Sequence, residues 1–581
     1  VRTEIPPSPS HPNRLHRVLA GVALAAALSL SLGCAPYARN SARTPAATAS
    51  AACAAGPVTT QSGPACGTGS TVGNRQVEAF RGMPYATAGR WQDPRPYGSW
   101  SGTFPATGFG PICPQKTAHT ELAQSEDCLS INVWRPQGAS KLPVVVFVYG
   151  GAFVEGASDF PVLDGSRLAA NEKVVVVSFN YRLGALGFLA GTFADGGSLG
   201  GNFGFKDQQT ALAWVNQNVD DFGGNAKNVT LVGESAGAMS VGLHMLSAPA
   251  SGRYFQKAVM ESNPFALPYK TLAEAAPFGS SLEAVLGCAS STKGLACLKN
   301  VPYRTIVDKQ LSIWTTWPAI GKGFVDFLVW APLIDGSTIT ADPIHGSIDR
   351  PTVLGTNLNE GNLFVDKMKQ ALDKTTISDK EAQKILKAFF GETYTGEILT
   401  HFPLPSSGDA TPVVEQILGD YLFTCANRWV ATHASDPSQV WGYQFRPKTT
   451  YDIWNGAAPD CVQKPTGQSP ICHGDELPYV FDSWSDLGVT PSADETALTT
   501  TVQGYWGSFA TQGTPAKAAA WQPVSDQESY LLLLHPPVGQ VHPFPICTSF
   551  WDTIGYDLRK VPSNLFDLEA PVSVGAPDSG R

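Results

Sequence analysis

The longest apolar runs outside the chain's beginning are Leu142–Tyr149 (LPVVVFVY) and Val174–Phe179 (VVVVSF). Runs this short and β-branched, without polar alternation, predict strands buried on both faces, as in a parallel sheet covered by helices. Amphipathic stretches such as Asp207–Val219 lie between and after them. Farther on, strand-like pieces (Asn228–Val232, Thr352–Leu354, Val440–Phe445) alternate with helical ones (Asp379–Phe390, Glu495–Gln512). The pattern predicts an α/β fold with a mostly parallel central sheet, helices on both faces and long insertions. No linker or internal repeat interrupts it from about Thr71 to Ser563, so one domain is expected over 71–568, with a disordered tail at 569–581.

The beginning of the chain follows another pattern. Arg2, Arg14 and Arg17 precede an apolar run from Val18 to Leu32, short for a spanning helix and right for a signal-peptide core. It ends in Ser31-Leu32-Gly33-Cys34, which resembles a bacterial lipoprotein cleavage box with its Leu one place early, at Leu30. Residues 1–33 then form a signal peptide and Cys34 carries lipid. The alternative is ordinary secretion, with cleavage near Ala47-Thr48-Ala49. Either route exports the protein, as an envelope lipoprotein (periplasm or cell surface) or a secreted one. Residues 34–70, rich in Ala, Ser, Thr, Gly and Pro, read as a flexible tether.

Composition narrows the function. Charged residues are 15% of the 581, below the ~25% typical of soluble domains. With 57 Gly and 45 Pro, the chain is rich in ordered loops. A net charge of -9 with no basic stripe argues against nucleic acid as a partner. Eleven Cys are too few for a disulfide scaffold of this length, many for a cytosolic enzyme, and odd in number. No C-x-x-C or His pair at ligand spacing occurs, so neither a metal nor a cofactor is expected.

Gly233-Glu234-Ser235-Ala236-Gly237 fits G-x-S-x-G, and so does Gly196-Gly197-Ser198-Leu199-Gly200. Context separates them. Ser235 follows a strand-like run (Val229–Val232) and opens a helix-like one (Ala236–Leu246), the strand–turn–helix setting that thrusts a hydroxyl outward. Ser198 has no strand before it and sits in a Gly-rich loop. A serine nucleophile needs a base, and its tetrahedral intermediate needs donors. Tyr149-Gly150-Gly151-Ala152-Phe153, directly after a buried strand, offers them. The N–H groups of Gly151, Ala152 and Ala236 would make a three-donor oxyanion hole.

These motifs, with Phe80-Arg81-Gly82-Met83-Pro84-Tyr85-Ala86, Glu126-Asp127-Cys128-Leu129, Asn180-Tyr181-Arg182-Leu183-Gly184, Gly201-Asn202 with Asp207-Gln208, Phe222-Gly223-Gly224-Asn225 and the late Tyr505-Trp506, Phe509-Ala510 and Gly513-Thr514-Pro515, run through nearly the whole exported part. Together they resemble the type-B carboxylesterases, the family of bacterial para-nitrobenzyl esterases, bile-salt lipases and cholinesterases. The resemblance implies the α/β-hydrolase fold and a triad in the order Ser, acid, His. His401, His433, His473, His535 and His542 are then the candidate bases. His473, in Cys472-His473-Gly474-Asp475-Glu476, is similar to the family's base loop, whereas His244 reads as a packed helix residue. Gly355-Thr356-Asn357-Leu358-Asn359-Glu360-Gly361 resembles the family's acid turn, which makes Glu360 the residue that orients His473. Asp420 matches a buried supporting position. Ser262 matches a Ser near the triad, and Glu234 would place a negative field by the alcohol site.

The family also implies the disulfides Cys113–Cys128, Cys288–Cys297 and Cys425–Cys547. Cys461 and Cys472 bracket the approach to His473, so a bridge there would stiffen the base loop; Cys53 and Cys66 could close a small loop in the tether. Trp314, Trp317, Phe324, Phe327, Leu328 and Trp330 precede Pro332-Leu333-Ile334-Asp335-Gly336, where the family builds its acyl side. They form either an apolar acyl pocket or ordinary core. The Cys113–Cys128 loop holds no Trp, which argues against choline esters. The function implied is hydrolysis of small to medium apolar or aromatic esters through an acyl-enzyme. The alternatives are a lipase or amide hydrolase with the same triad and, more remotely, a non-catalytic adhesion-type relative. The partner is a small-molecule ester, and any membrane contact runs through the N-terminal lipid alone.

Overall fold

In the computed structural model the described residues are 56–558, apart from 117–121, 291, 311–312, 314–322, 372, 407, 448, 455–457, 463–469, 516–520, 525–529, 534–538 and 542–543. Residues 1–33, expected as a signal peptide, Cys34, Cys53 and residues 569–581, expected as a tail, lie outside them.

An eleven-stranded sheet carries the domain. Its strands in chain order are β1 (Thr68–Val72), β2 (Arg75–Pro84), β3 (Ser130–Pro136), β4 (Leu142–Val148), β5 (Val175–Phe179), β6 (Gly224–Glu234), β7 (Lys257–Glu261), β8 (Thr352–Asn357), β9 (Val440–Phe445), β10 (Tyr530–Leu533) and β11 (Gly539–Val541). In space they run β11-β10-β9-β8-β7-β6-β4-β5-β3-β2-β1. Pairing is parallel from β5 through β4 to β10 and antiparallel at both ends. The Val-rich runs fall where the apolar pattern puts them: β5 is buried along its whole length, and β4 from Pro143 onward. Val145 of β4 lies between Val176 of β5 and Thr230 of β6, in the interior of the sheet.

Three helices matter for the site: α1 (Phe203–Asn218), α2 (Ala236–Leu246) and α3 (Glu360–Ala371). α2 follows β6 with no intervening loop except Ser235, and only Leu358 and Asn359 separate α3 from β8. The C-terminal ends of β4, β6 and β8 therefore converge on one edge, where open α/β sheets bind ligands. The helix expected at Asp379–Phe390 forms over those residues; Gly391, at φ 76° and ψ 170°, leaves the helical path, and a second helical segment follows it to His401.

The tether expected over 34–70 is corrected from residue 58 onward. Val58–Thr60 and Gly63–Cys66 form an antiparallel hairpin, Cys66 pairs with Pro105 of a third short strand, and β1 starts at Thr68. Composition concealed a period-2 pattern: Val58, Thr60 and Ser62 are buried while Thr59 and Gln61 face outward. Cys66 is disulfide-bonded. The disulfides Cys113–Cys128, Cys288–Cys297, Cys425–Cys547 and Cys461–Cys472 are all formed, which indicates an oxidising, extracytoplasmic environment. Among the described residues no helix is long and apolar enough to cross a membrane.

Candidate active site

Ser235 stands between β6 and α2 at φ 56° and ψ −123°. A non-glycine residue keeps such a conformation only where its surroundings impose it. Here the surroundings are close: a Cβ on Gly233 would collide with the backbone of Gly237, and one on Gly237 with the carbonyl of Val148. The flanking glycines are thus a packing requirement of the elbow, and the Ser235 N–H is fixed by the carbonyl of Glu261 at 2.9 Å. Ser198 instead lies exposed at the start of a two-stranded ribbon (Ser198–Gly200 with Ala190–Thr192), away from the cavity.

The loop after β4 turns through three successive positive φ values, 106° at Gly151, 52° at Ala152 and 61° at Phe153. The Gly151 carbonyl accepts from the N–H of Val154 and of Glu155, leaving the N–H groups of Gly151, Ala152 and Ala236 without an acceptor among the described residues. Gly151, Ala152, Ser235 and His473 line one cavity.

His473 is 3% exposed. Its Nδ1 is 2.6 Å from Glu360 Oε2, the rings of Phe364 and Phe423 meet it edge-on at 5.4 and 5.3 Å, and its carbonyl accepts from Trp454 Nε1 at 3.1 Å. Nε2 lies 3.1 Å from Glu234 Oε1, at an angle that makes no hydrogen bond, and no bond joins it to Ser235 Oγ. Glu360 Oε1 accepts from the Asn357 N–H and the Ser262 hydroxyl, both at 2.6 Å. Two further glutamates, neither identified from sequence, complete the cluster. Glu476 Oε2 accepts from Asn357 Nδ2 at 2.6 Å and its Oε1 is 3.4 Å from the Ser262 hydroxyl. Glu261 Oε1 accepts from Trp506 Nε1 at 2.7 Å. Sequence offers one hint of Glu476, its place three residues after the base; Glu261 is legible only once β7 and β6 are paired.

So many acids in one buried place must hold protons. Burial and the charges of Glu234 and Glu360 push Glu476 up to about 8, and burial together with Glu476 raises Glu261 well above the carboxylate range. Burial also raises Glu234 to about 7, against the pull of His473. For His473, burial favours the neutral ring, but the charges of Glu234 and Glu360 and the bond to Glu360 outweigh it and lift the imidazole to about 9. A base must be neutral to act, so kcat/KM should climb through the alkaline range. Glu234→Gln removes one carboxylate beside Nε2 and should move that limb to lower pH by about 1–3 units. A pH profile on a soluble ester checks this; a limb that stays put refutes the assignment.

The remaining expected residues divide. Phe327 and Leu328 line the cavity. Trp330 does not: it is buried behind the wall, its Nε1 against the Gln310 carbonyl at 3.4 Å. Phe324 is core as well, stacked between Phe389 and Tyr421. Trp314 and Trp317 lie outside the described residues. Asp420 begins a π-turn after the helix Thr411–Gly419 and is half-buried, its Oδ2 without a hydrogen-bond partner; burial pushes it up to about 7. It makes no bond to Glu360 or His473. Of the other histidines, His401 stacks on Phe550 and His433 meets the Trp429 carbonyl, while His535 and His542 fall outside the described residues. His244 bonds Ser251 and Gln208, and burial lowers it to about 3, so it is a neutral packing residue.

The Cys461–Cys472 bridge ends at the residue before His473. Replacing both cysteines by Ser should cost about 2–4 kcal/mol of stability. It should also lower kcat under conditions where the fold persists, because the base loop loses its anchor. Urea unfolding and kcat measured on the same preparation separate the two effects; unchanged kcat would limit the bridge to stability.

A strained serine in the same cavity as a buried imidazole that a carboxylate holds by its far nitrogen suits acyl transfer, and on this sheet it marks a serine hydrolase of α/β-hydrolase fold. The chain belongs to the carboxylesterase family, whose sequence model matches residues 55–544, and it is a carboxylic ester hydrolase of the type-B group. It is 33% identical to the para-nitrobenzyl esterase of Bacillus subtilis (strain 168) over 499 residues, covering 81% of this chain and 93% of the relative. To the bile salt-activated lipase of Mus musculus it is 32% identical over 487 residues, 77% and 76% of the two chains. The solved structure of a PNB esterase superposes with a TM-score of 0.68 at 30% identity, over 84% of this chain and 97% of that one.

Proposed function

We propose that Ser235, His473 and Glu360 form the catalytic triad of an esterase acting on small to medium apolar or aromatic esters. Ser235 Oγ attacks the ester carbonyl while His473 Nε2 takes its proton. The oxyanion is received by the N–H groups of Gly151, Ala152 and Ala236. His473 then protonates the leaving alcohol and activates the water that hydrolyses the acyl-enzyme. The observation that carries the reading is the 2.6 Å bond from His473 Nδ1 to Glu360 Oε2 in a cavity that Ser235 also lines. It fixes the tautomer that leaves Nε2 free to accept a proton. Phe327, Leu328 and Phe364, on one side of that cavity, give the acyl group an apolar wall.

A fluorophosphonate probe tests the reading directly. One equivalent should bind, with the mass increment on the peptide containing Ser235; a label on another residue overturns it. A panel of soluble aryl and alkyl esters should show saturation without lipid. Rate enhancement only at a lipid–water interface would favour a lipase instead. The disulfides support export, and we extend the reading to a signal peptide over 1–33 with lipid on Cys34. Mass spectrometry of the exported protein tests the anchor: an unmodified N-terminus beyond Cys34 overturns it.

A further inference from the structure

The loop after β4 is short and strained, so something in the fold must hold its shape. Ala152 and Phe153 keep φ values of 52° and 61° without being glycine, a conformation that persists only where neighbouring structure over-determines it. One neighbouring segment meets the loop at both ends. Asn180-Tyr181-Arg182-Leu183-Gly184 follows β5, the strand paired with β4. At the loop's entrance the Tyr181 hydroxyl donates to the Tyr149 carbonyl at 2.9 Å. At its exit the Gly184 N–H donates to the Phe153 carbonyl at 2.7 Å. The bond at the entrance is returned: the Tyr149 hydroxyl donates to the Tyr181 carbonyl at 3.3 Å and accepts from the Tyr181 N–H at 3.2 Å. The two rings stack with centroids 4.5 Å apart, 17° from parallel.

The clamping segment is itself firmly anchored. Both tyrosines are buried. Arg182 pairs with Asp207 of α1 through Nε and Nη2, both at 2.8 Å, and the Arg182 N–H meets the same carboxylate at 3.0 Å. A Cβ on Gly204 of α1 would lie 2.2 Å from the Arg182 carbonyl oxygen, so the helix packs directly against the segment. Farther back, the Asn180 carbonyl accepts from the Tyr85 hydroxyl at 2.8 Å, and Asn180 Oδ1 accepts from the Ser158 N–H at 2.9 Å. Donors aimed at a developing oxyanion act best when held in place beforehand, and small misplacements cost rate steeply. Burial also pushes the Tyr181 phenol well above its usual range. The hydroxyl therefore keeps its proton, and its bond to the loop, through the alkaline range in which His473 loses its charge.

We propose that Tyr181 is a positioning residue for acyl transfer: acting through the Tyr149 carbonyl, its hydroxyl aims the Gly151 and Ala152 N–H groups at the oxyanion of the tetrahedral intermediate. Tyr149, Gly151 and Ala152 line the cavity, and Tyr181 stands behind them, so its influence passes through the loop. The effect falls on the transition state more than on substrate binding, because the donors act most strongly on the charge that develops there. This inference rests on the nucleophile and the three-donor hole proposed above and deepens that reading.

The test compares 4-nitrophenyl butyrate with its thiono analogue, in which sulfur replaces the carbonyl oxygen. Sulfur is a weak acceptor, so the thiono ester gains little from the hole and the native protein should prefer the oxygen ester. Tyr181→Phe keeps the ring and its stack. It should lower kcat/KM for the oxygen ester about 10- to 100-fold, and for the thiono ester less than about threefold. An aryl trifluoromethyl ketone, which forms a tetrahedral adduct on Ser235, should bind the variant about 10- to 100-fold more weakly, while the matching methyl ketone changes less than about twofold. Equal losses on both esters, as a loosened fold would give, an unchanged kcat/KM, or unchanged affinity for the trifluoromethyl ketone would each overturn the proposal. Should Tyr181→Phe not fold, hydrogen exchange in the native protein decides. The Gly184 N–H should be equally protected in the free protein and in the trifluoromethyl ketone adduct, as a loop shaped in advance requires; protection gained only in the adduct overturns the proposal. A native protein that hydrolyses both esters equally well would instead overturn the three-donor hole, and one that hydrolyses neither would overturn the triad. Both results are distinguishable from a preference lost in the variant alone.

Discussion

Ser235→Ala should lower kcat for a soluble ester by about 10⁶-fold, leaving only the roughly 10³–10⁴-fold acceleration over water that binding and oxyanion donors supply. The loss is expected to appear in kcat, because the missing hydroxyl supplies the bond made in the reaction and little of the substrate's binding. The fold should be untouched. Among the described residues the Ser235 hydroxyl holds no hydrogen bond, and its strained φ of 56° is imposed by the packing of Gly233 and Gly237 against their neighbours, which alanine leaves intact. Thermal unfolding within about 1 °C of the native protein, alongside the loss of turnover, would place the effect in chemistry; a surface-type change of this kind is ordinarily within ±0.5 kcal/mol. A variant that retains most of its activity after purification from any contaminating esterase would end the assignment.

How much of this site was legible in the sequence depended on whether a residue's role is set locally or by contact. The Val-rich runs of β4 and β5 were legible because burial on both faces removes polar alternation, and that leaves a continuous apolar signature. The elbow was legible because a strained turn demands glycine at fixed offsets on either side of Ser235. Glu261 and Glu476 had no such signature. A glutamate in sequence reads as a solvated charge, and only the pairing of β7 with β6 and the fold-back of the base loop bring these two beside Asn357, Ser262 and Trp506. The aromatic stretch Phe324–Trp330 was only partly legible, for the opposite reason. Aromatic content marks burial without saying in which direction, and Phe324 and Trp330 turned to the core while Phe327 turned to the cavity. The hairpin over Val58–Cys66 was hidden by small, polar residues that resemble a linker in composition, although its first strand, Val58–Thr60, alternates in burial.

Glu360→Gln should reduce kcat/KM about 10⁴-fold while preserving shape. Three donors converge on the native carboxylate: the imidazole Nδ1–H, the Asn357 N–H and the Ser262 hydroxyl, each at 2.6 Å. A glutamine amide has one oxygen and one NH₂ for these positions. With its oxygen toward Asn357 and Ser262, the NH₂ faces Nδ1, which must then be the acceptor, so the ring's proton moves to Nε2 and His473 cannot take a proton from Ser235. Turned the other way, the amide keeps the tautomer but sets an N–H against two donors in a buried place, at a cost of about 1–3 kcal/mol. The first arrangement is the cheaper one and the inactive one. It should therefore dominate, giving a variant that stays folded, still binds a substrate analogue and turns over very slowly. The neighbouring acids make the alternative measurable. Glu234 and Glu476 both act on the same imidazole through its charge. A loss of less than about tenfold in Glu360→Gln, with activity then abolished by adding Glu476→Gln, would show that Glu476 takes over the orienting bond and that Glu360 is not the required member of the triad.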